Sequence, residues 1–218
     1  VNKLLLEYYR PVEGEAGEGP SYESRPRNHV TQAKNFGEFF TPETLVERIF
    51  DRYAYGIGEG MRVLEPSAGK GALAKRAAAA GALVDCIEIQ PGHAHELILS
   101  GLYRDVECRD FLEKQPPLDP TRLYDAIVAN PPFDKGRDVS HVLHMWEFLR
   151  PGGQLIAIMS ARAEFCQDKR HKALHDLIAA AEPIHGRMAW HDLPERSFAE
   201  SGTNVNTVVL AIRKPPLR

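Results

Sequence analysis

The chain has 218 residues, of which 43% are hydrophobic and 26% charged, with a formal net charge of −3. That composition argues against a mostly disordered or fibrous chain, and the charge excludes binding of polyanions by bulk charge alone, though not by local basic patches. Three cysteines, Cys86, Cys108 and Cys166, with no CxxC, argue against a disulfide framework or a cysteine-rich zinc site and point to the cytoplasm.

In chain order, residues 1–35 come first, with a stretch at 10–28 rich in Gly, Pro, Glu and Ser. We read 1–35 as a partly flexible arm preceding a single domain at 36–218. Its opening apolar run is too short for a signal peptide. The longest later one, LIAIM at 155–159, is too short to span a bilayer. Thr41-Pro42-Glu43-Thr44 reads as a helix start with Thr41 as N-cap, followed by Leu45, Val46, Ile49 and Phe50 at helical spacing. A strand at 61–64, ended by Pro66, leads through a glycine-containing turn into an Ala-rich helix at 72–80. Strands follow at 83–89, 103–108, 126–129 and 154–159, with helices at about 93–100, 138–149 and 168–181. The last two strands are expected near 184–190 and at 204–212. Strands that are near-continuous apolar runs, alternating with helices, predict a parallel sheet covered on both faces. The segment 193–206 is too short and polar for a crossover helix, so the final strands should pair antiparallel.

Gly69-Lys70-Gly71-Ala72-Leu73-Ala74 fits G-x-G-x-x-A between a strand and a helix, the context a nucleotide site requires. Glu88 ends the second strand, where a carboxylate can accept from ribose hydroxyls. The bland alternative is a tight turn and a solvated acid. A phosphate loop fits poorly, because Gly71 stands where Ser or Thr belongs. In a nicotinamide site the glycines follow the strand at once, whereas here Glu65-Pro66-Ser67-Ala68 intervenes. Negative charge from Glu65 suits a cationic ligand such as S-adenosylmethionine. Asp110, after the third strand, could accept from an adenine amine while Phe111 packs the ring; alone, it would read as a helix cap. Three acids at three strand ends outline one crevice.

Asn130-Pro131-Pro132-Phe133 closes the fourth strand. Residues before proline are pushed into extended conformations, which fixes the direction of the carbonyls. The Asn130 side-chain oxygen and the Pro131 carbonyl can then converge on one exocyclic amine, a weak nucleophile whose lone pair is delocalised. Two fixed acceptors favour a more tetrahedral nitrogen aimed at an electrophilic methyl, without a strong base. Phe133 would stack on a planar substrate.

These residues resemble the class I S-adenosylmethionine-dependent methyltransferases, specifically the N6-adenine DNA methyltransferases of the gamma motif order. The resemblance covers about residues 36–160. Phe36-Gly37-Glu38-Phe39-Phe40-Thr41-Pro42 is similar to the family's upstream cofactor motif, with Phe40 and Thr41 near the methionine moiety. Glu65, Ser67, Ala68, Gly69 and Gly71 match its first strand motif, Glu88 with Ile89 the ribose site, Asp110-Phe111 the adenine site, and Asn130 to Phe133 the catalytic motif, Asn130 also facing the cofactor. The resemblance implies an α/β, Rossmann-like seven-stranded sheet, mostly parallel with the last strand antiparallel and helices on both faces. It also implies S-adenosyl-L-methionine as cofactor and DNA, double- or single-stranded, as partner. A separate target-recognition domain after the last strand is not expected, which predicts relaxed sequence preference or a specificity subunit; a homodimer is the other assembly considered.

Phosphate contacts are expected from Lys135, Arg137, Arg162, Lys169, Arg170 and Lys172, with Phe198 at a substrate rim. His171 and His175, i and i+4 with Asp168 nearby, sit in a basic surround that disfavours metal. They read as a solvated or phosphate-facing patch, as do His93 with His95 and His141 with His144. No metal is expected. Trp146 and Trp190 read as core or groove wall. The competing functions are methylation of RNA or of a protein glutamine, an inactive methyltransferase-like binding module, and a nicotinamide oxidoreductase, which leaves Asn-Pro-Pro-Phe unexplained. Release-factor glutamine methyltransferases resemble the motif but have Tyr where Phe133 stands and carry a helical N-terminal domain.

Overall fold

The computed structural model describes residues 40–184, 186, 188–194, 197–198 and 205–216. The expected arm at 1–35 and the motif residues 36–39 lie outside them. The described chain runs α1 (Glu43–Arg52), β1 (Arg62–Pro66), α2 (Ala72–Ala79), β2 (Leu83–Glu88), α3 (Pro91–Ser100), β3 (Asp105–Cys108), β4 (Tyr124–Ala129), α4 (Arg137–Phe148), β5 (Leu149–Ser160), the short α5 (Arg162–Phe165), α6 (Lys169–Ala180), β6 (Glu182–Pro183), β7 (Trp190–Asp192) and β8 (Thr207–Arg213).

The sheet order is β3-β2-β1-β4-β5-β8, with β6 and β7 both on the outer edge of β8. Strands β1 to β5 are parallel, and β8 is antiparallel to β5. β6 pairs with the Ile212–Arg213 end of β8, and β7 with Val208 to Leu210. The two are halves of one interrupted edge strand, so the sheet has seven rows. The continuous strand expected near 184–190 is corrected: pairing falls at its two ends, and Gly186, at φ +60°, breaks the extended run between them.

Alternation along the strands builds two cores. Val63, Val84, Val128, Ile156, Ile158 and Val209 face α1, α2 and α3. Leu64, Ile87, Ile127, Leu155, Met159 and Leu210 face α4 and α6. Leu45, Val46, Ile49 and Phe50 of α1 are buried as their spacing predicts. The helix start differs, however: Pro42 occupies the N-cap position and no side chain caps the helix. The Thr41 hydroxyl instead accepts from Asn130 Nδ2 at 3.1 Å. Trp146 and Trp190 pack beside the second core. Among the described residues no helix is long and apolar enough to cross a membrane.

Candidate active site

The strand order reverses between β1 and its neighbours β2 and β4, and a crevice opens beyond the carboxyl ends there, the position where ligands bind in open α/β sheets. It holds about 650 Å³ of open space. Phe40, Ser67, Gly69, Glu88, Ile89, Asp110, Phe111 and Asn130 line it, together with Pro132 and Arg137. Ile87, Gln90, Arg109 and His141 also line it, and sequence reasoning did not place them there.

Local chemistry explains the shape. The Glu88 carboxylate accepts the Gly69 N–H at 2.6 Å and the Gln90 N–H at 2.8 Å. It therefore ties the glycine turn to the end of β2 and remains at the crevice wall. Asp110 caps the short turn after β3 by accepting from Leu112 N at 2.9 Å, and its other oxygen lies 3.9 Å from the Arg137 guanidinium. The cap reading and the crevice reading of Asp110 thus hold together. Phe40 roofs the opening, with Lys70 Nζ 4.4 Å from its ring centroid and His93 edge-on at 5.7 Å.

Several expected site residues stand one layer back. Glu65 is buried and accepts from Ala74 N at 2.6 Å; burial pushes its carboxyl well above the usual carboxylate range. Glu65 does not line the crevice; its carboxyl turns inward to the first turn of α2 rather than toward a ligand. Ala68 belongs to the apolar core. Gly71, at φ +76°, is required by packing: a Cβ there would lie 2.6 Å from both Leu97 and the Tyr103 hydroxyl. Thr41 acts through Asn130. Because the Asn130 amide nitrogen is taken by Thr41, the oxygen is the end it can offer to an amine.

Pro131 is buried. Phe133 walls a second cavity that it shares with Lys135, Asp138, Ser160, Arg162 and Arg170. Phe198, expected at a substrate rim, is instead fully buried. It meets Phe133 edge-on, with centroids 6.1 Å apart and an interplanar angle of 80°, so it supports the aromatic wall from behind.

Arg137 belongs to the first crevice rather than to an outer phosphate face. Lys169 and Lys172 are exposed on α6. The Arg170 guanidinium donates to the Lys135 carbonyl at 3.0 Å and to Ser140 Oγ at 3.3 Å. It braces the loop that follows Phe133, where Lys135 takes φ +51°, a structural role that the phosphate reading of Arg170 did not include. On the function proposed below, Arg170→Ala should lower turnover about tenfold, and Arg170→Lys should not restore it, since an ammonium lacks the fork that reaches two acceptors. Lys172→Ala should raise only the KM for acceptor, and mainly at low salt. Steady-state kinetics at two salt concentrations separate the two effects; identical behaviour of the Arg170 and Lys172 variants would show that Arg170 is a phosphate contact after all.

Two of the three histidine pairs are corrected, while His95 is exposed as a solvated residue would be. His171 is buried and donates to Asp168 at 2.6 Å, and His175 donates to the Ala163 carbonyl at 3.1 Å. His144 donates to the Lys114 carbonyl at 2.8 Å. His141 is 2% exposed, and burial, helped by Arg137, pushes its imidazole down to about 4. The unfolded chain, with an ordinary histidine near 6.5, takes up this proton first. The stabilisation from neutral His141 is therefore full above about pH 6.5 and is lost as pH falls toward 4, to a total of about 3 kcal/mol. Unfolding free energy measured from pH 7.5 to 4.5 should fall more steeply in the wild type than in His141→Asn. The raised carboxyls of Glu65 and Asp138 have the opposite sign but are common to both proteins. Parallel profiles would contradict the assignment.

No protein-family model matches the chain, and no curated protein matches it. Among solved structures it is similar to the methyltransferase subunit of a type I restriction–modification system from Streptococcus thermophilus, with TM-score 0.62 and 16% identity over 85% of this chain and 47% of that one. The chain thus spans about half the length of that subunit. It is similar to a candidate RNA methyltransferase from Pyrococcus horikoshii, with TM-score 0.59 and 20% identity, covering 83% of this chain and 86% of that one. It is also similar to the [4+2]-cyclase SpnF, with TM-score 0.59 and 18% identity, covering 89% and 86%. The fold is the Rossmann-like fold of the class I methyltransferases.

Proposed function

We propose that the chain transfers a methyl group from S-adenosylmethionine to the exocyclic N6 amine of adenine in DNA. One observation carries the reading: Asn130-Pro131-Pro132-Phe133 ends β4 at the acid-bearing crevice, with Thr41 holding the Asn130 amide nitrogen. The fold alone does not decide the chemistry, since it also houses a cyclase.

The residues present fit the cofactor. Glu88 offers carboxylate oxygens to ribose hydroxyls, Asp110 an acceptor to the adenine amine, and Ile89 and Phe111 apolar faces to the ring. When bound, S-adenosylmethionine supplies an electrophilic methyl on a sulfonium. The chain's own part is to place and polarise the acceptor. Asn130 Oδ1 and the Pro131 carbonyl accept from the two N–H bonds of the amine, which draws its lone pair out of the ring. They stabilise the positive charge that develops on nitrogen, and a proton then leaves to water. Phe133, backed by Phe198, offers a flat wall to a base taken out of its stack. Lys135 and Arg162 border the neighbouring cavity and suit a phosphate chain.

The expected assembly context is cytoplasmic, on DNA. The test is an acceptor panel with radiolabelled S-adenosylmethionine and equal masses of duplex DNA, single-stranded DNA, RNA and cell protein. Label should enter DNA first, and more slowly as salt rises. Label in RNA alone, or in protein glutamine, reassigns the acceptor; no label in any acceptor despite cofactor binding favours a binding module.

A further inference from the structure

Ser67 sits in the turn between β1 and α2 with φ +71°, a left-handed conformation that L side chains adopt at a penalty worth roughly tenfold in population. Its backbone is pinned from one side: the Ser67 and Ala68 N–H groups donate to the Ile87 carbonyl at 2.8 and 2.9 Å. Its side chain is held from the other. Ser67 Oγ lies 3.2 Å from His141 Nδ1, a hydrogen bond that reaches across to the second turn of α4. The imidazole is buried beside Phe111, with ring centroids 5.7 Å apart. Its Nε2 has no hydrogen-bond partner among the described residues, so the bond to Ser67 is the only one the ring makes there. An apolar side chain would fill this space without leaving a buried ring nitrogen unsatisfied. What an apolar side chain cannot do is hold the Ser67 hydroxyl. Both residues line the crevice.

We propose that His141 is a positioning residue for the cofactor crevice: through Nδ1 it holds the Ser67 side chain and thereby the left-handed turn that presents Gly69 to the ligand. This rests on the cofactor reading of the crevice. The device stands in for a glycine at position 67, which would take the same φ without penalty.

That equivalence supplies the test. Binding of S-adenosylhomocysteine is measured by calorimetry for His141→Ala alone and in the Ser67→Gly background, with thermal unfolding confirming that each protein is folded. In the wild-type background the loss should be about tenfold; in the Ser67→Gly background it should be under twofold. His141→Asn, which keeps a polar atom near the position of Nδ1, should recover most of the affinity. Ser67→Ala, which keeps the strained φ and the packed ring, should reproduce the His141→Ala loss without adding to it, and serves if His141→Ala does not fold. A loss of equal size in both backgrounds overturns the strut and makes His141 a direct ligand contact. Unaltered affinity in His141→Ala and Ser67→Ala overturns it in favour of core filling. A wild type that binds neither S-adenosylmethionine nor S-adenosylhomocysteine removes the cofactor reading, and the proposal with it.

Discussion

Replacing Asn130 by Ala should reduce methyl transfer by a factor of about 10² to 10³ while changing cofactor affinity less than about threefold. The asymmetry follows from geometry. The Asn130 amide meets the Thr41 hydroxyl through its nitrogen and stands at the end of β4, where the proposed function puts the acceptor amine. Its interaction strengthens as charge develops on that nitrogen, so its removal lowers kcat more than it raises any dissociation constant. Asn130→Asp keeps an acceptor oxygen but replaces the donor to Thr41, and should recover little. Single-turnover rates with saturating cofactor are the measurement. A parallel loss of cofactor affinity would make Asn130 a cofactor ligand rather than the group that orients the acceptor.

The largest expected loss of binding belongs to Glu88→Ala. The carboxylate accepts from the Gly69 and Gln90 N–H groups and sits where ribose hydroxyls would reach it. Truncation removes a carboxyl acceptor, worth about 1.5–3 kcal/mol, so cofactor affinity should drop about 10- to 100-fold. It also leaves two N–H groups without their partner, so unfolding free energy should fall by about 1–3 kcal/mol. Glu88→Gln, which retains one acceptor, should lose less on both counts. Calorimetry and denaturant unfolding read the two effects separately. Wild-type cofactor affinity in a destabilised Glu88→Ala protein would assign the carboxylate to the turn alone.

Much of this site was legible because its residues close strands. Glu88 and Asn130 each close an apolar run and Asp110 follows the short β3, and a parallel sheet gathers its carboxyl ends on one edge whatever the loops do. The parallel pairing of β1 to β5 follows from the same alternation of apolar strands and helices, whereas their order in the sheet was not read from it. Less legible was anything set by contact across the sequence. His141 reaches Ser67 over 74 residues, and its pattern along α4 is that of an ordinary helix face. Thr41 carries the local signature of an N-cap, yet its hydroxyl accepts from Asn130, a contact across 89 residues that no local pattern records. Glu65 looked like a charge beside the glycine turn, but the N-terminus of α2 takes its carboxyl inward. Phe198 follows a polar stretch and still ends in the core, since Phe133 needs a ring behind it. Arg170 shares a basic run with Lys169 and Lys172 and differs from them only in what lies opposite, the Lys135 carbonyl and Ser140. The interrupted edge strand escaped a periodic reading because each half is only two or three residues long.

The central claim is amine methylation of adenine in DNA, and mass spectrometry of nucleosides tests it most directly. DNA incubated with the purified protein and S-adenosylmethionine carrying a deuterated methyl group is digested to nucleosides and analysed. The account predicts N6-methyldeoxyadenosine bearing the intact labelled methyl, absent when Asn130→Ala replaces the wild type. Unmodified deoxyadenosine throughout, from a protein that binds the cofactor and labels a different acceptor, would contradict it.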